Sequence, residues 1–426
     1  MTAPELTGVR TVRRAGSRRP RPALRAETGP GALLTLIRDL GSATRRDLIA
    51  HTGFARATLE ARLDTLLNAG YIVERIDHGS SGGRPPRLIE FNENGGHLLC
   101  VDIGATHTTI GIADLGCHIL AKEDLDIDVT AGPAAVLGAV GSRLRRLVER
   151  LNIPPATVLG VGVGVPSPVE WHGRMARPPH AAPLADAWVD IVIAREILAF
   201  LPGLGVTNVP VVVDKDANIM ALGEWRTSWP DVRDLVVVKI STTIACGIIT
   251  GGHVVRGVAG MAGDLAHIPD PHDHTPCRCG QHGCLDVTAS GLALLRRTRT
   301  LHDTHPSDHT GAAAMRHLVD RTLTGDPTTV HAMTDAGHRL GQSIGALIAL
   351  LNPELVVVGG ALAHDNTPLI STIRHVAAAR VHPHAASSTQ IVASSIRAEA
   401  SLIGAAHLAL DEILTPATVD SALADR

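Results

Sequence analysis

Three cysteines fall within eight residues, Cys277-Arg278-Cys279-Gly280-Gln281-His282-Gly283-Cys284, a short distance after His267. His267 and the three thiolates together supply four soft or borderline donors. A closed tetrahedral zinc site takes this number, leaving no position for a reactive water. Such a site holds a loop in shape and performs no hydrolysis. A disulfide or a fortuitous grouping are the alternatives. The chain has only six cysteines in 426 residues, and half of them sit in this one glycine-punctuated turn, which chance accounts for poorly. One structural Zn2+ per chain is expected on His267, Cys277, Cys279 and Cys284, with His272, His274 and His282 as alternative fourth ligands. A second set of chemistry-bearing residues comprises Asp216 directly after a valine-rich stretch, Asp264 in a glycine-rich one, and Asp286 just beyond the last cysteine. Each is a candidate cleft carboxylate, or else a helix cap or solvated loop residue.

A third set is basic. Residues 1–90 hold fifteen arginines, no lysine and nine acidic residues, a surplus of +6 in a chain of net charge −3. The remainder is therefore about −9, and a basic front on an acidic body points to a polyanion-binding module. Arginine outnumbers lysine 36 to 3 throughout. Arginine richness alone therefore fits codon bias as well as function, and the asymmetry carries the argument.

The elements that must position these arginines are legible. Leu33, Leu34, Ile37 and Leu40 recur at three- and four-residue spacing, which predicts a helix with one buried stripe. Thr44 is a plausible cap for a second helix over Arg45–His51, with Leu48 and Ile49 inward, and Thr52-Gly53-Phe54 gives the turn of a helix-turn-helix. A third helix over Arg56–Asn68 buries Leu59, Leu63, Leu66 and Leu67. It leaves Arg56, Thr58 and Arg62 outward, the residue types that read base edges in a major groove. Glu60 sits among them and would repel phosphate. Strands over Tyr71–Ile76 and Arg87–Phe91 flank a glycine-rich tip. There Gly83, Arg84 and Pro85 make an extended arginine suited to a narrow minor groove. The candidate DNA contacts are thus Arg45, Arg56, Thr58, Arg62, Gly83, Arg84 and Pro85; an ordinary three-helix unit with solvated arginines is the alternative. Residues 1–29 read as a disordered basic arm, and 30–92 as a winged helix-turn-helix.

Beyond residue 96 the pattern becomes α/β, with strands at Leu98–Thr106, Thr109–Ala113, Val158–Val165, Val209–Val213, Leu235–Ile240 and Leu355–Val358 alternating with helical segments. Cys100, Cys117 and Cys246 lie in apolar surroundings and read as reduced core residues. With 45% hydrophobic residues, no signal-peptide run and no charge-free stretch of transmembrane length, a soluble, cytoplasmic, nucleoid-associated chain without a membrane role is expected.

The helix-turn-helix, Asp102-Ile103-Gly104-Ala105-Thr106, Pro166-Ser167-Pro168, Asp216-Ala217-Asn218, Gly260-x-x-Gly263-Asp264-x-x-His267, the Cys277–Leu285 cluster and Asn352–Gly360 together resemble the ROK family of repressors and sugar kinases over roughly residues 30–410. The resemblance implies a two-lobed actin-like ATPase (ribonuclease H-like, sugar-kinase) fold behind the winged helix. The first lobe is then 97–215, completed by a C-terminal helix over 396–413. The second is 216–395 with the zinc loop at 260–290, and 414–426 is a tail. It implies that Asp216 stands where family kinases keep the base, and that Ser167, Lys215, Asp264, His267 and Asp286 line the small-molecule pocket with it.

The departures from the family pattern carry the functional expectation. Where family kinases have a Gly-Thr-Gly-Ile-Gly turn at the nucleotide phosphates, this chain has Ser241-Thr242-Thr243-Ile244-Ala245. Ala105 and His107 replace a usual glycine and lysine, Lys215 replaces an asparagine, and aspartates stand for glutamates at 264 and 286. Lys215 is placed to pair with Asp216. Phosphoryl transfer depends on positioning around the γ-phosphate, so no useful kinase activity is expected and Asp216 reads as a vestigial base. The expected function is a DNA-binding transcriptional regulator, a repressor more often than an activator in this family, acting on operator DNA as a homodimer or tetramer. A dimer fits an inverted repeat. Its effector is expected to be a sugar or sugar derivative. An active ATP-dependent sugar kinase carrying a DNA-binding domain, or an effector-independent regulator with a vestigial pocket, are the alternatives.

Overall fold

The computed structural model describes residues 29–76, 86–127, 129–170, 188, 191–298 and 311–424. The chain divides into two units, Met1–Phe91 with Asp420–Arg426, and Asn92–Val419.

In the first unit, Pro30 starts helix α1 (Pro30–Leu40), which buries Leu33, Leu34 and Ile37 as one stripe and stops at Gly41 with φ 75°. Strand β1 (Ser42–Ala43) leads into α2 (Arg45–Thr52). A reciprocal capping box opens α2: the Asp47 amide donates to the Thr44 hydroxyl and the Thr44 amide to the Asp47 carboxylate. Left-handed Gly53 ends it, and α3 (Arg56–Asn68) follows, burying Leu59, Leu63 and Leu66. Leu40, Ile49 and Leu67 are only half-buried. Strands β2 (Ile72–Ile76) and β3 (Arg87–Phe91) pair antiparallel with Val73 opposite Glu90, and β1 adds to β3. The wing tip with Gly83, Arg84 and Pro85, and the amino-terminal arm, lie outside the described residues.

The second unit holds two five-stranded sheets. The first is built from β4 (His97–Ile103), β5 (Thr108–Asp114), β6 (Ile119–Leu125), β7 (Val158–Val165) and β8 (Val211–Lys215), with α4 (Pro133–Arg150) and α5 (Ile193–Phe200) in the connections. Then come α6 (Asp216–Ser228) and a second set of strands, β9 (Leu235–Ile240), β10 (Ile244–Thr250) and β11 (His253–Val254). Helices α7 (Leu285–Ala289), α8 (Gly291–Arg297), α9 (Gly311–Leu323) and α10 (Pro327–Leu351) precede β12 (Leu355–Gly359), α11 (Pro368–Arg380), α12 (Pro383–Ser388) and β13 (Gln390–Ala393). Helices α13 (Ala400–Ile413) and α14 (Pro416–Ala424) finish the chain. The sheet orders are β6-β5-β4-β7-β8 and β11-β10-β9-β12-β13. Each is an antiparallel three-strand meander extended by two parallel strands, so the same topology occurs twice.

The sequence explains how β7 sits between two layers. Val161, Val163 and Val165 face a core with Val136, Val140 and Leu144 of α4, whereas Gly162 faces α13 and Gly164 faces Ile219 of α6. A Cβ on Gly162 would lie 1.8 Å from the Ala405 carbonyl oxygen, so only glycine lets that helix reach the sheet. Helices α13 and α6 cross at similar range: a Cβ on Gly404 would lie 1.7 Å from the Ile219 carbonyl oxygen. The second core gathers Val236, Val238, Ile344, Val356 and Ile373, its valines all on one face of the β9–β12 pair. The segment 414–426, expected as a tail, contains α14. Thr415 caps it, and its Asp420 carboxylate accepts a 2.7 Å hydrogen bond from the Gly31 amide in the first turn of α1.

Candidate functional site

Asp264 opens a single 3-10 turn over Leu265–His267 that presents the His267 ring, and the loop then returns through Cys277, Cys279 and Cys284. Gly283, with φ 68°, reverses the chain so that its amide reaches the Thr275 carbonyl and its carbonyl receives the Asp270 amide. The ligand atoms of His267, Cys277, Cys279 and Cys284 all lie within 4.8 Å of one another. His267 Nδ1 is 3.7 Å from Cys277 Sγ, and Cys279 Sγ is 3.5 Å from Cys284 Sγ. None of the six cysteines is in a disulfide. This quartet can hold a metal ion. Burial raises the Cys277 and Cys284 thiols, so a binding metal must displace their protons. Among the described residues the donors that cluster are these four, and His272, His274 and His282 are not among them.

Next to this loop lies a cleft floored by the ends of β4, β8 and β9. Asp216 begins α6; its Oδ1 accepts from the Ala217 amide at 2.7 Å and its Oδ2 from Lys239 Nζ at 2.8 Å. The expected Lys215–Asp216 pair is not formed. Lys215 and Asp216 leave the strand–helix junction in different directions, and Lys215 Nζ donates instead to the Ala262 carbonyl at 2.6 Å. Asp214 takes hydrogen bonds from the Lys215 amide, Asn218 Nδ2 and Arg256 Nε, at 2.7, 2.7 and 2.8 Å. The two lysines differ in character. Burial lowers the Lys215 pKa despite its carboxylate neighbours, whereas for Lys239 Asp216 and Asp102 outweigh burial and hold the pKa above the ordinary lysine value. Asp102 is 7% exposed, and its Oδ1 has no hydrogen-bond partner; nor has His107 Nδ1.

The turn over residues 241–245 is committed to the protein's own structure. The Ser241 amide bonds to the Thr243 carbonyl, and the Ile244 amide to Asp286 Oδ1 at 3.1 Å. The Ser241 and Thr242 carbonyls cap the first turn of α8 through the Gly291 and Leu292 amides. Two amides that such a turn would offer an anion are therefore spent. Burial raises the Asp286 carboxyl, and the Ile244 amide works against it. Thr106 Oγ1 and Thr242 Oγ1 approach to 3.4 Å, joining the turns of the two sheets. Ser167 is buried with its hydroxyl on the Pro168 carbonyl at 3.4 Å, and Asp264 is half-buried.

In the first unit, α3 exposes Arg56, Ala57, Thr58 and Ala61. Arg45 departs from the outward expectation. Its Nε bonds Glu60 at 2.9 Å, and its guanidinium also pairs with Glu74, because α2, α3 and β2 converge on it. Glu60 is thereby neutralised. Arg62 also departs: it is half-buried and stacks 4.1 Å over the Phe54 ring, bracing the turn between α2 and α3. Lys239 and Arg256 escaped the motif reading. The one signal that marks Lys239 is rarity, since lysine supplies three of 39 basic residues and two of the three line this cleft.

Among known proteins, the ROK family model matches residues 98–412. The xylose repressor of Bacillus spizizenii is 23% identical over 372 residues, covering 87% of this chain and 92% of the repressor. A Streptomyces coelicolor glucokinase is 26% identical but covers only 74% of this chain and 98% of its own length. The crystal structure of a ROK family transcriptional regulator, a homologue of the E. coli MLC protein, aligns with TM-score 0.74 and 24% identity over 93% of this chain and 98% of that one. A Streptomyces griseus ROK glucokinase in complex with glucose and AMPPNP aligns with TM-score 0.60 and 25% identity over 74% of this chain and 99% of its own. With its paired sheets, its metal-competent loop and a family match spanning most of its length, this chain belongs to the ROK family.

Proposed function

We propose that this protein is a sugar-responsive, DNA-binding transcriptional repressor whose kinase-like body has become a sensor. The observation that carries the reading is one of extent. The xylose repressor is matched over 87% of this chain, more than the second unit alone contains, whereas the glucokinase is matched over 74%, no more than that unit contains. The helix-turn-helix presents Arg56 and Thr58 for base contact, and Arg84 in the wing is assigned to the minor groove. The body would bind a sugar or sugar derivative among Ser167, Lys215, Asp216, Asp264, His267 and Asp286. A ligand switches DNA affinity only by binding the two states differently, which lobe closure provides. A homodimer on an inverted repeat follows from the half-site geometry of such modules.

Zinc is the ion assigned to the quartet. A bond of about 2.3 Å to each thiolate gives tetrahedral edges of about 3.8 Å, near the separations observed. Loss of catalysis is supported by the spent amides of the 241–245 turn and by Lys239 on Asp216, which withdraws the carboxylate from service as a base. The test has two arms. Gel shifts on an operator found by genome-wide binding should weaken severely for Arg84→Ala and change base preference for Arg56→Ala; unchanged shifts for both would refute the DNA assignment. ADP release with ATP and a hexose panel should stay at background, and ordinary turnover would make the protein a kinase.

A further inference from the structure

Besides its proposed part in effector binding, Asp216 belongs to a buried charge arrangement. Asp216 and Asp102 come from α6 and β4, and Lys239 reaches Asp216 from β9 with its side chain only 14% exposed. Asp216 receives the ammonium at 2.8 Å. Asp102 is more than nine-tenths buried and leaves Oδ1 without a partner. A carboxylate in so enclosed a place needs a cation, because an uncompensated buried negative charge is poorly solvated. Oxygen-rich floors of this kind usually obtain the cation from solution as a divalent metal.

Here the chain supplies it. Nearly every basic residue is arginine, 36 against 3 lysines, yet position 239 is lysine. An ammonium is a compact point charge on a thin stem, and the planar fork of arginine is not equivalent to it. The nearby turn offers little to a nucleotide phosphate, since its Ser241 and Ile244 amides are bonded within the protein.

We infer that Lys239 is a resident cation: its ammonium occupies the place a divalent ion would take on Asp216, so that carboxylate is neutralised and ordered without metal or nucleotide. Built on the sensing reading above, this means that the effector alone works the switch, and cellular Mg2+ and ATP do not.

The test uses the full-length, zinc-saturated protein and Mn2+ as the probe, read by electron paramagnetic resonance and thermal melting. The native protein should show no saturable Mn2+ site. K239A should bind about one Mn2+ per chain with a rise in melting temperature of several degrees, and K239A/D216N should lose at least tenfold of that affinity. Propylammonium should restore K239A, while propanol, which fills the same space without charge, should not. K239M, which keeps the bulk of the stem, provides the same readout if K239A does not fold. A Mn2+ site in the native protein that D216N removes would overturn the inference, as would folded variants that bind no Mn2+, or equal rescue by propanol. None of these readouts needs an operator or an effector, so failure here is distinct from failure of the regulatory assignment.

Discussion

Arg45 and Arg56 open two successive helices, and their charges are put to different uses. Arg45 is held between Glu60 and Glu74, whereas Arg56 is exposed. Arg45→Ala should therefore destabilise the first unit by about 1 kcal/mol, read as a lower urea midpoint, without altering base preference. The Arg45 hydrogen bond holds the Glu74 carboxyl below its ordinary value of 4.5, against the effect of burial. Stability from this group is thus fully present above pH 4.5 and fades as pH falls through the lowered folded value. At the metal loop, Cys279→Ser should weaken zinc retention roughly tenfold or more in chelator competition and remove the effector response while the first unit still melts normally. Retained response in the stripped protein would reduce the metal to a local role. Residue types alone located the thiol cluster, because its donors lie within one turn. They misjudged Arg45 and Arg62, whose partners lie on other elements.

Helix α6 shows what an element adds. Its first residue carries the cleft carboxylate, and two turns later Glu224 is fully buried, one oxygen accepting from Ser394 Oγ and the other without a partner. Burial raises the Glu224 carboxyl above its ordinary 4.5 and the Ser394 bond only partly opposes this. For an acid raised in the folded state, stability is greatest below the unfolded pKa and declines as pH rises toward the folded one. Glu224→Gln should accordingly flatten that decline and stabilise the protein at neutral pH by about 1–3 kcal/mol, measured as melting temperature at pH 5 and pH 8. A variant less stable at both would show that the carboxylate has a counter-charge. The elements themselves were largely readable. The Thr44 cap, the leucine stripes and the Val-Gly alternation of β7 are local patterns, and local patterns set helix or strand. Periodicity did not announce α14, because its nine residues carry a single buried side chain, Val419.

For the molecule as a whole, the chain returns on itself at its end. Asp420 closes the first turn of α1 by accepting from Gly31, so Asp420→Ala should cost the first unit about 1 kcal/mol, seen as an earlier melting transition and a faster-exchanging Gly31 amide. An unchanged transition would leave the contact without energetic weight. The order 3-2-1-4-5 appears in both sheets although the two halves share no evident sequence repeat, since a topology constrains which faces are apolar and leaves the residues free. By itself the sequence determined the helical and strand patterns, the α/β body, the clustered thiols at 277–284 and the altered turn at 241–245, all of which are read within short stretches of chain. Only the tertiary structure decided that Lys239 and not Lys215 neutralises Asp216, that Arg45 is spent inside, and that residue 420 caps residue 31. Those pairings join positions 15 to 389 residues apart, and the strands, helices and crossings that bring them together are settled by packing, which a local pattern does not encode.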